Sequence, residues 1–367
     1  MLRLERRASP SSVMRIASPI LAALAMLVTG FLLFTALGKD PTEAFYMFFV
    51  KPLSSIYGIG ELLLKTTPLL LCGLGLALGF RANVWNIGAE GQLTLGAIAG
   101  GGVALWFGDS DSSLAMPLML IAGVLGGMAW AAIPAFLRTR FNTNEILVTL
   151  MLVYIAQLAL SWLVHGPWRD PLGHNFPQSR GFGDAETMST LIDGTRVTWG
   201  IVYALVIALG AWVFSQKTYA GFRMQVAGLA PAAAAYAGFS EKRNIWIALL
   251  LSGATAGLAG ICEVAGPIGR LQQDISPGYG FAAIIVAWMG RLHPIGVVFG
   301  ALLMSLLYLG GESAQMGMSL PSAITGFFQG LLLFYLLAAD LFIAFRLKRA
   351  VRAESKPKPS AAVKSAA

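Results

Sequence analysis

The sequence predicts an all-α, polytopic integral membrane protein of about ten transmembrane helices. Three observations carry that expectation. Hydrophobic residues make up 56% of the 367, charged residues only 12%, and mean hydropathy is +0.70, a balance foreign to soluble globules. Apolar runs of about 17 residues or more, the length a bilayer core demands of a helix, recur along nearly the whole chain. The 42 glycines suit helices whose backbones approach closely in lipid.

Taken in order, residues 1–15 form a basic segment (Arg3, Arg6, Arg7, Arg15) before an apolar run at 16–37. That run is too long for a signal-peptide core and lacks a small-residue cleavage site, so it reads as a retained first span. Residues 40–56, aromatic and interrupted by Pro52, are expected to lie at the far interface. Further spans are expected at about 58–79, 86–107, 114–137, 143–165, 197–215, 244–266, 278–290, 294–311 and 323–345, giving a membrane domain of 16–345. The 278–290 run is short for a crossing and fits a half-helix or a re-entrant piece equally well. Residues 346–367 are polar and expected to be a disordered cytoplasmic tail.

Charge supports this layout. With the N-terminus inside, the segments on that side collect 19 of the 26 Lys and Arg residues, as the positive-inside rule requires. Both termini are then cytoplasmic, and the loop 166–196 is external, a small folded lip. The net charge of +8 therefore faces the inner leaflet, and nucleic acid is not an expected partner.

One long basic, Gly/Ala-rich loop, 216–243, lies between two strongly apolar runs. Within it Pro231 suits a helix start and Gly238 a helix stop. PAAAAYA between them is a good helix former of about two turns, too short to be stable alone. It needs support from the membrane part or from something docked on it. An ordinary loop and a docking helix are both consistent with that composition, the second with Tyr236 as a knob on an alanine face.

Several polar residues are costly at membrane depth. Glu61 and Lys65, spaced i, i+4, suggest a partly snorkelled pair, and Glu263 is expected at the outer interface. The run RANVWNIGAEGQLTLGA is interrupted by Asn83, Asn86, Gly88, Gly91 and Gln92 around Glu90. Broken backbone at that depth is tolerated only where protein buries it or water reaches it. Asn86, Glu90 and Gln92 are thus candidates for a translocation pathway, or for a lock between helices.

Enzyme chemistry has no support. His165, His174 and His293 fall in separate segments, and no G-x-S-x-G or H-E-x-x-H pattern occurs. Cys72 and Cys262 both lie in apolar runs and read as buried small hydrophobes, with no metal site. The chain has no G-x-x-x-x-G-K-[ST] loop, hence no ATP site of its own.

Five stretches occur in order: FRANVWNIGAEGQLTLGA (80–97), TNEILVTLMLVYIA (143–156), GFRMQVAGLAPAAAAYAGFS (221–240), LSGATAGLAGICEVAG (251–266) and PGYGFAAIIVAWMGRLHPIGVVFGALL (277–303). Together they resemble the permease subunit of bacterial ABC importers for simple sugars and nucleosides, in the ribose and branched-chain amino acid permease superfamily. The NIGAEGQ form is most similar to the nucleoside branch. The resemblance covers about 58–345; each motif alone is weakly specific, but five in register are strong.

That resemblance implies a cytoplasmic coupling helix at about 228–240, with Gly228, Pro231, Ala234, Tyr236 and Gly238 as its ATPase-coupling residues. It also implies a separate ABC ATPase subunit that binds the ATP, a second permease subunit (like or unlike), an external solute-binding lipoprotein and the bacterial inner membrane. No cofactor is expected in this chain. An ion-coupled secondary transporter using Glu90, a branched-chain amino acid permease and a membrane scaffold or receptor are the competing readings.

Overall fold

The computed structural model describes residues 2–6, 12–108 and 112–349. A short strand β1 (Leu2–Arg6) precedes α1 (Ser12–Ala36), α2 (Pro41–Phe45), α3 (Ile56–Arg81), α4 (Ala89–Phe107) and α5 (Ala115–Phe141). Then follow α6 (Glu145–His165), α7 (Gly200–Lys217), α8 (Tyr219–Leu229), α9 (Pro231–Tyr236) and α10 (Glu241–Glu263). The chain ends with α11 (Tyr279–Met289), α12 (Pro294–Met318), α13 (Ala323–Ala344) and β2 (Phe345–Arg349).

Local chemistry sets many boundaries. Ser55, Asn144, Thr218 and Ser240 cap α3, α6, α8 and α10 through side-chain oxygens that accept backbone N–H groups, which supplies acceptors the first turn lacks. Pro231 and Pro294 open α9 and α12, where a missing N–H costs nothing.

Helices α3 and α10 form the centre: 83% of the α3 span and 67% of the α10 span are buried, against 22% for α1 and α6. Around them α5 and α4 pack on α10, α7, α11 and α12 pack on α3, and α6 packs on α4. The α5–α10 contact is a backbone-to-backbone approach: a Cβ on Gly257 would lie 2.2 Å from the Gly123 carbonyl. Only glycine permits that spacing, the small-residue packing that replaces hydrophobic driving force inside lipid. At the periphery α1 packs along α13, and β1 pairs antiparallel with β2, Leu4 opposite Leu347.

Among the described residues eight of these helices, against the ten expected, are long and apolar enough to cross a membrane, α4 and α11 falling outside that set; the multi-pass, nearly all-helical reading stands, but several expectations change. The 86–107 span starts at Ala89, because 83–88 is non-helical. The 278–290 run is an 11-residue helix, about 16 Å long against a core of about 30 Å; it is not a full span. The 294–311 run extends to Met318. Residues 40–56 do not simply lie at an interface: α2 and the helical turns after it bury Ala44 and Phe48, the latter packed at a tilt against Phe34 and Phe328. Residues 346–349 of the expected tail belong to β2; the remainder, 350–367, lies outside the described residues.

The two ends of the bundle are distinct. One carries the C-terminus of α3, the α5–α6 turn, α8, α9 and the tight α11–α12 turn. The other carries the 166–199 segment, which packs on 265–272 through Met188 N–H to the Ala265 carbonyl and Phe182 N–H to the Gly269 carbonyl.

Candidate functional site

At the first end, 216–243 forms two helices rather than one. α8 lies against α3 so closely that a Cβ on Gly228 would sit 2.1 Å from the Arg81 carbonyl. Arg81 Nη2 donates to Gln225 Oε1 (3.0 Å), and Arg223 Nε donates to Asn244 Oδ1 (3.1 Å), so α8 is fastened to α3 and α10. α9 follows, with Pro231 at its first position and Gly238 just beyond its end at φ +76°. Ala234 is 3% exposed and points inward, over a cavity of about 90 Å³ lined by Asn83, Arg138, Phe239 and Asn244. Tyr236 is 96% exposed. The outward surface is therefore Ala232, Ala233, Ala235 and Tyr236; Ala234 is the seat of the helix, not part of its face.

The non-helical link 83–88 runs from this end into the bundle. Trp85 packs in a three-ring cluster with Phe80 and Trp288, centroids 5.2 and 5.9 Å away. Deeper, Asn86 Nδ2 donates to Gln92 Oε1 (2.9 Å) and to Ser252 Oγ (2.8 Å), while Asn86 Oδ1 accepts from Gly88 N–H (2.9 Å). Ile87 N–H donates to Thr149 Oγ1 (3.2 Å). Broken backbone is thus satisfied by Asn86 itself and by Glu145 and Thr149 of α6, as burial requires, while Gln92 of α4 and Ser252 of α10 hold the Asn86 side chain. Asn86 and Gln92 are each 1% exposed and spend their hydrogen bonds on this lock; neither lines the cavity under α9 or the one beside Glu90.

Glu90 stands in the first turn of α4, and its Oε2 accepts from the Gly280 N–H (2.6 Å) in the first turn of α11. Two helices therefore begin next to each other inside the bundle, each with its positive N-terminal end beside one carboxylate. Ser276 Oγ accepts from the Gly278 and Tyr279 N–H groups (3.1 and 2.9 Å), completing the start of α11.

Glu90 also lines a cavity of about 330 Å³ between α4, α6 and the segment before α11. Its polar lining includes Glu90, Thr94, Gln157, Ser161, Gln273, Asp274 and Ser276, with Tyr154 and Leu158 at its rim. On α6, Tyr154, Gln157 and Ser161 recur at i, i+3, i+7, which puts them on one face. That face is exposed in the single chain at Tyr154 and Gln157. An amide near the middle of a membrane helix is costly against hydrocarbon. The polar stripe therefore belongs against water or another protein surface.

Of the three pathway residues expected from sequence, only Glu90 meets the cavity. Gln157, Ser161, Gln273, Asp274 and Ser276 were missed; the i, i+3, i+7 spacing of Tyr154, Gln157 and Ser161 inside an apolar run was the available signal. The i, i+4 pair is also corrected. Glu61 accepts from Arg196 Nε and Nη2 (2.8 and 2.6 Å), and Lys65 pairs with Glu312 (2.8 Å). Both bonds fasten α3 to neighbours, and the Glu61 bonds push the Arg196 guanidinium pKa above its usual value. Cys72 and Cys262 are free and buried.

A family model described as branched-chain amino acid transport system / permease component matches residues 58–337. A glucose ABC transporter permease protein of Haloferax volcanii is 36% identical, over 94% of this chain and 93% of its own. A guanosine ABC transporter permease protein of Bacillus subtilis is 30% identical, over 90% and 96%. A nucleoside ABC transporter permease protein of Lactococcus lactis is 31% identical, over 80% and 82%.

Proposed function

The chain belongs to the family of branched-chain amino acid transport system permease components, and from that premise we propose that it is the membrane subunit of an inner-membrane ABC importer for a nucleoside or a simple sugar. The observation that carries this reading is the polar cavity beside Glu90, opening on an exposed, polar-striped face of α6. A surface of that kind is half of a water-filled route, and it calls for a second permease subunit, like or unlike, across it. At the other end, the outward face of α9 with Tyr236 is the surface offered to a separate ATPase subunit, which binds and hydrolyses the ATP. The 166–196 loop then faces outside, toward a solute-binding lipoprotein, and 216–243 faces the cytoplasm with both termini.

In this reading Gly228, Pro231, Ala234 and Gly238 shape and seat the coupling unit, and Tyr236 makes the contact. Asn86 and Gln92 hold the link between coupling unit and pathway, and Glu90 stands at the pathway wall. Movement of α9 on ATP-driven closure of the ATPase pair has a direct mechanical route, because the same link borders the cavity under α9 and ends at Glu90.

The test is reconstitution in proteoliposomes. The permease with its ATPase subunit, ATP and a loaded binding protein accumulates labelled guanosine or glucose, and the permease without the ATPase does not. Accumulation against a gradient by the lone chain would remove the assignment.

A further inference from the structure

We propose that Asp274 and Gln157 are the residues that read the transported solute, and that what they read is a pair of adjacent hydroxyls on an uncharged ring. This rests on the assignment of the α4–α6 cavity as the pathway, and names what that pathway selects.

The two carboxylates of the cavity are not equivalent. Glu90 is 2% exposed, and one of its oxygens is spent on the Gly280 N–H. Asp274 is exposed, and among the described residues its carboxylate has no protein partner; only its backbone carbonyl is engaged, by Gln272 Nε2 (2.9 Å). A free carboxylate is a pure acceptor with two oxygens. Two adjacent O–H groups are the neutral donor pair that fills it without leaving an oxygen unmatched. The hydroxyl lone pairs then need donors, which Gln157 supplies from the exposed face of α6 and Gln273 from the same segment as Asp274. Tyr154 and Leu158 at the rim provide apolar surface for the ring face. The volume of about 330 Å³ falls at the small end of the roughly 300–1,000 Å³ range of ligand sites.

Charge sets the exclusion. The cavity lining holds two carboxylates and no Lys, Arg or His. A phosphate would enter beside like charge with no cation to pair it, which is unfavourable. An amino acid can set its ammonium beside Asp274 but offers no adjacent hydroxyls to fill the carboxylate and the amides together. The site thus selects against phosphorylated solutes by charge, and favours the neutral ring chemistry shared by free sugars and ribonucleosides by its hydrogen-bond pattern.

The experiment uses the complete transporter in proteoliposomes, with four probes: adenosine, 2′,3′-dideoxyadenosine, D-glucose and L-leucine. Loading of each on the binding protein is measured separately, and uptake is compared at saturating loaded binding protein. The wild type moves adenosine or glucose and not leucine. Asp274→Asn, which keeps size but turns one acceptor into a donor, lowers the maximal rate for the hydroxylated solute on the order of tenfold, the loss of a hydrogen-bonded charge contact. It leaves the residual dideoxyadenosine rate unchanged, and Gln157→Ala has the same signature. Protein level in the membrane and co-purification of the ATPase confirm that the variants assemble. Unchanged rates for all probes in both variants overturn the assignment of Asp274 and Gln157 while the importer reading stands. Efficient leucine uptake overturns the proposed ring chemistry. Absence of ATP-dependent uptake of all four probes by the wild type refutes both.

Discussion

At the scale of single residues, position decides what a polar group does. Asn86, Glu90 and Gln92 lie within seven residues of each other, yet two are consumed by a lock and one stands at a cavity wall. Glu90 serves two roles, since its carboxylate also satisfies the first turn of α11. Replacing it with Ala leaves the Gly280 N–H unpaired in a buried place, a loss of about 1–3 kcal/mol. Glu90→Gln keeps an acceptor oxygen and loses less. Thermal unfolding of the two purified variants in detergent therefore separates them, with Glu90→Ala the lower; equal midpoints would show that the Gly280 contact contributes nothing. Glu61 illustrates the same point. Its bidentate partner Arg196 lies 135 positions away, and the neighbour at i+4 points to α12 instead. A membrane carboxylate takes the donor that tertiary packing offers, because desolvation without a partner is costly.

At the scale of elements, α9 is the informative case. Composition marks a short alanine helix between Pro231 and Gly238, but six residues cannot hold themselves together. α9 persists because Ala234 seats it over the α3–α4 link and α10. Two substitutions then have different consequences. Ala234→Arg forces a long cation into the space behind α9, unseating the helix and lowering stability and ATPase docking together. Tyr236→Arg alters only the exposed knob: the permease inserts and keeps its melting midpoint, while ATPase co-purification and ATP-driven uptake fall. Normal uptake by Tyr236→Arg would take α9 out of the coupling role. The same distinction of seat from face holds on α6, where Val153, Ala156, Leu160 and Val164 pack inward and Tyr154, Gln157 and Leu158 point away.

At the scale of the whole molecule, the two ends of the bundle are built from different elements. Arg81, Arg138, Arg223 and Arg291 gather around α8, α9 and the α11–α12 turn, while the 166–199 segment folds over the opposite end against 265–272. Single cysteines introduced at Leu172 and at Ala235, in a background with Cys72 and Cys262 replaced, give the topology. An impermeant maleimide added to intact cells labels the first and spares the second. The opposite pattern would invert the orientation and move the ATPase surface outside.

Much of this protein was legible in the sequence, since hydropathy, basic-residue bias and the Pro–Gly bracket of α9 are local or additive properties. The broken entry around Glu90, the family and the existence of a short helix in 216–243 all follow from such quantities, whereas the count of about ten spans exceeds the eight helices, among the described residues, long and apolar enough to cross, because an apolar run does not state the length of the helix it forms. The two ends of the chain were less legible: nothing in the order of residues 346–349 foretells a strand, because its partner is Leu2–Arg6 at the other end of the chain. Only the folded bundle decided that Ala234 turns inward, that Glu61 meets Arg196, and that Asn86 and Gln92 bond each other while Glu90 and Asp274 share a cavity. Apart from the Asn86–Gln92 bond, these depend on segments far apart in sequence, and a membrane helix buries or exposes a polar side chain according to which neighbour arrives beside it.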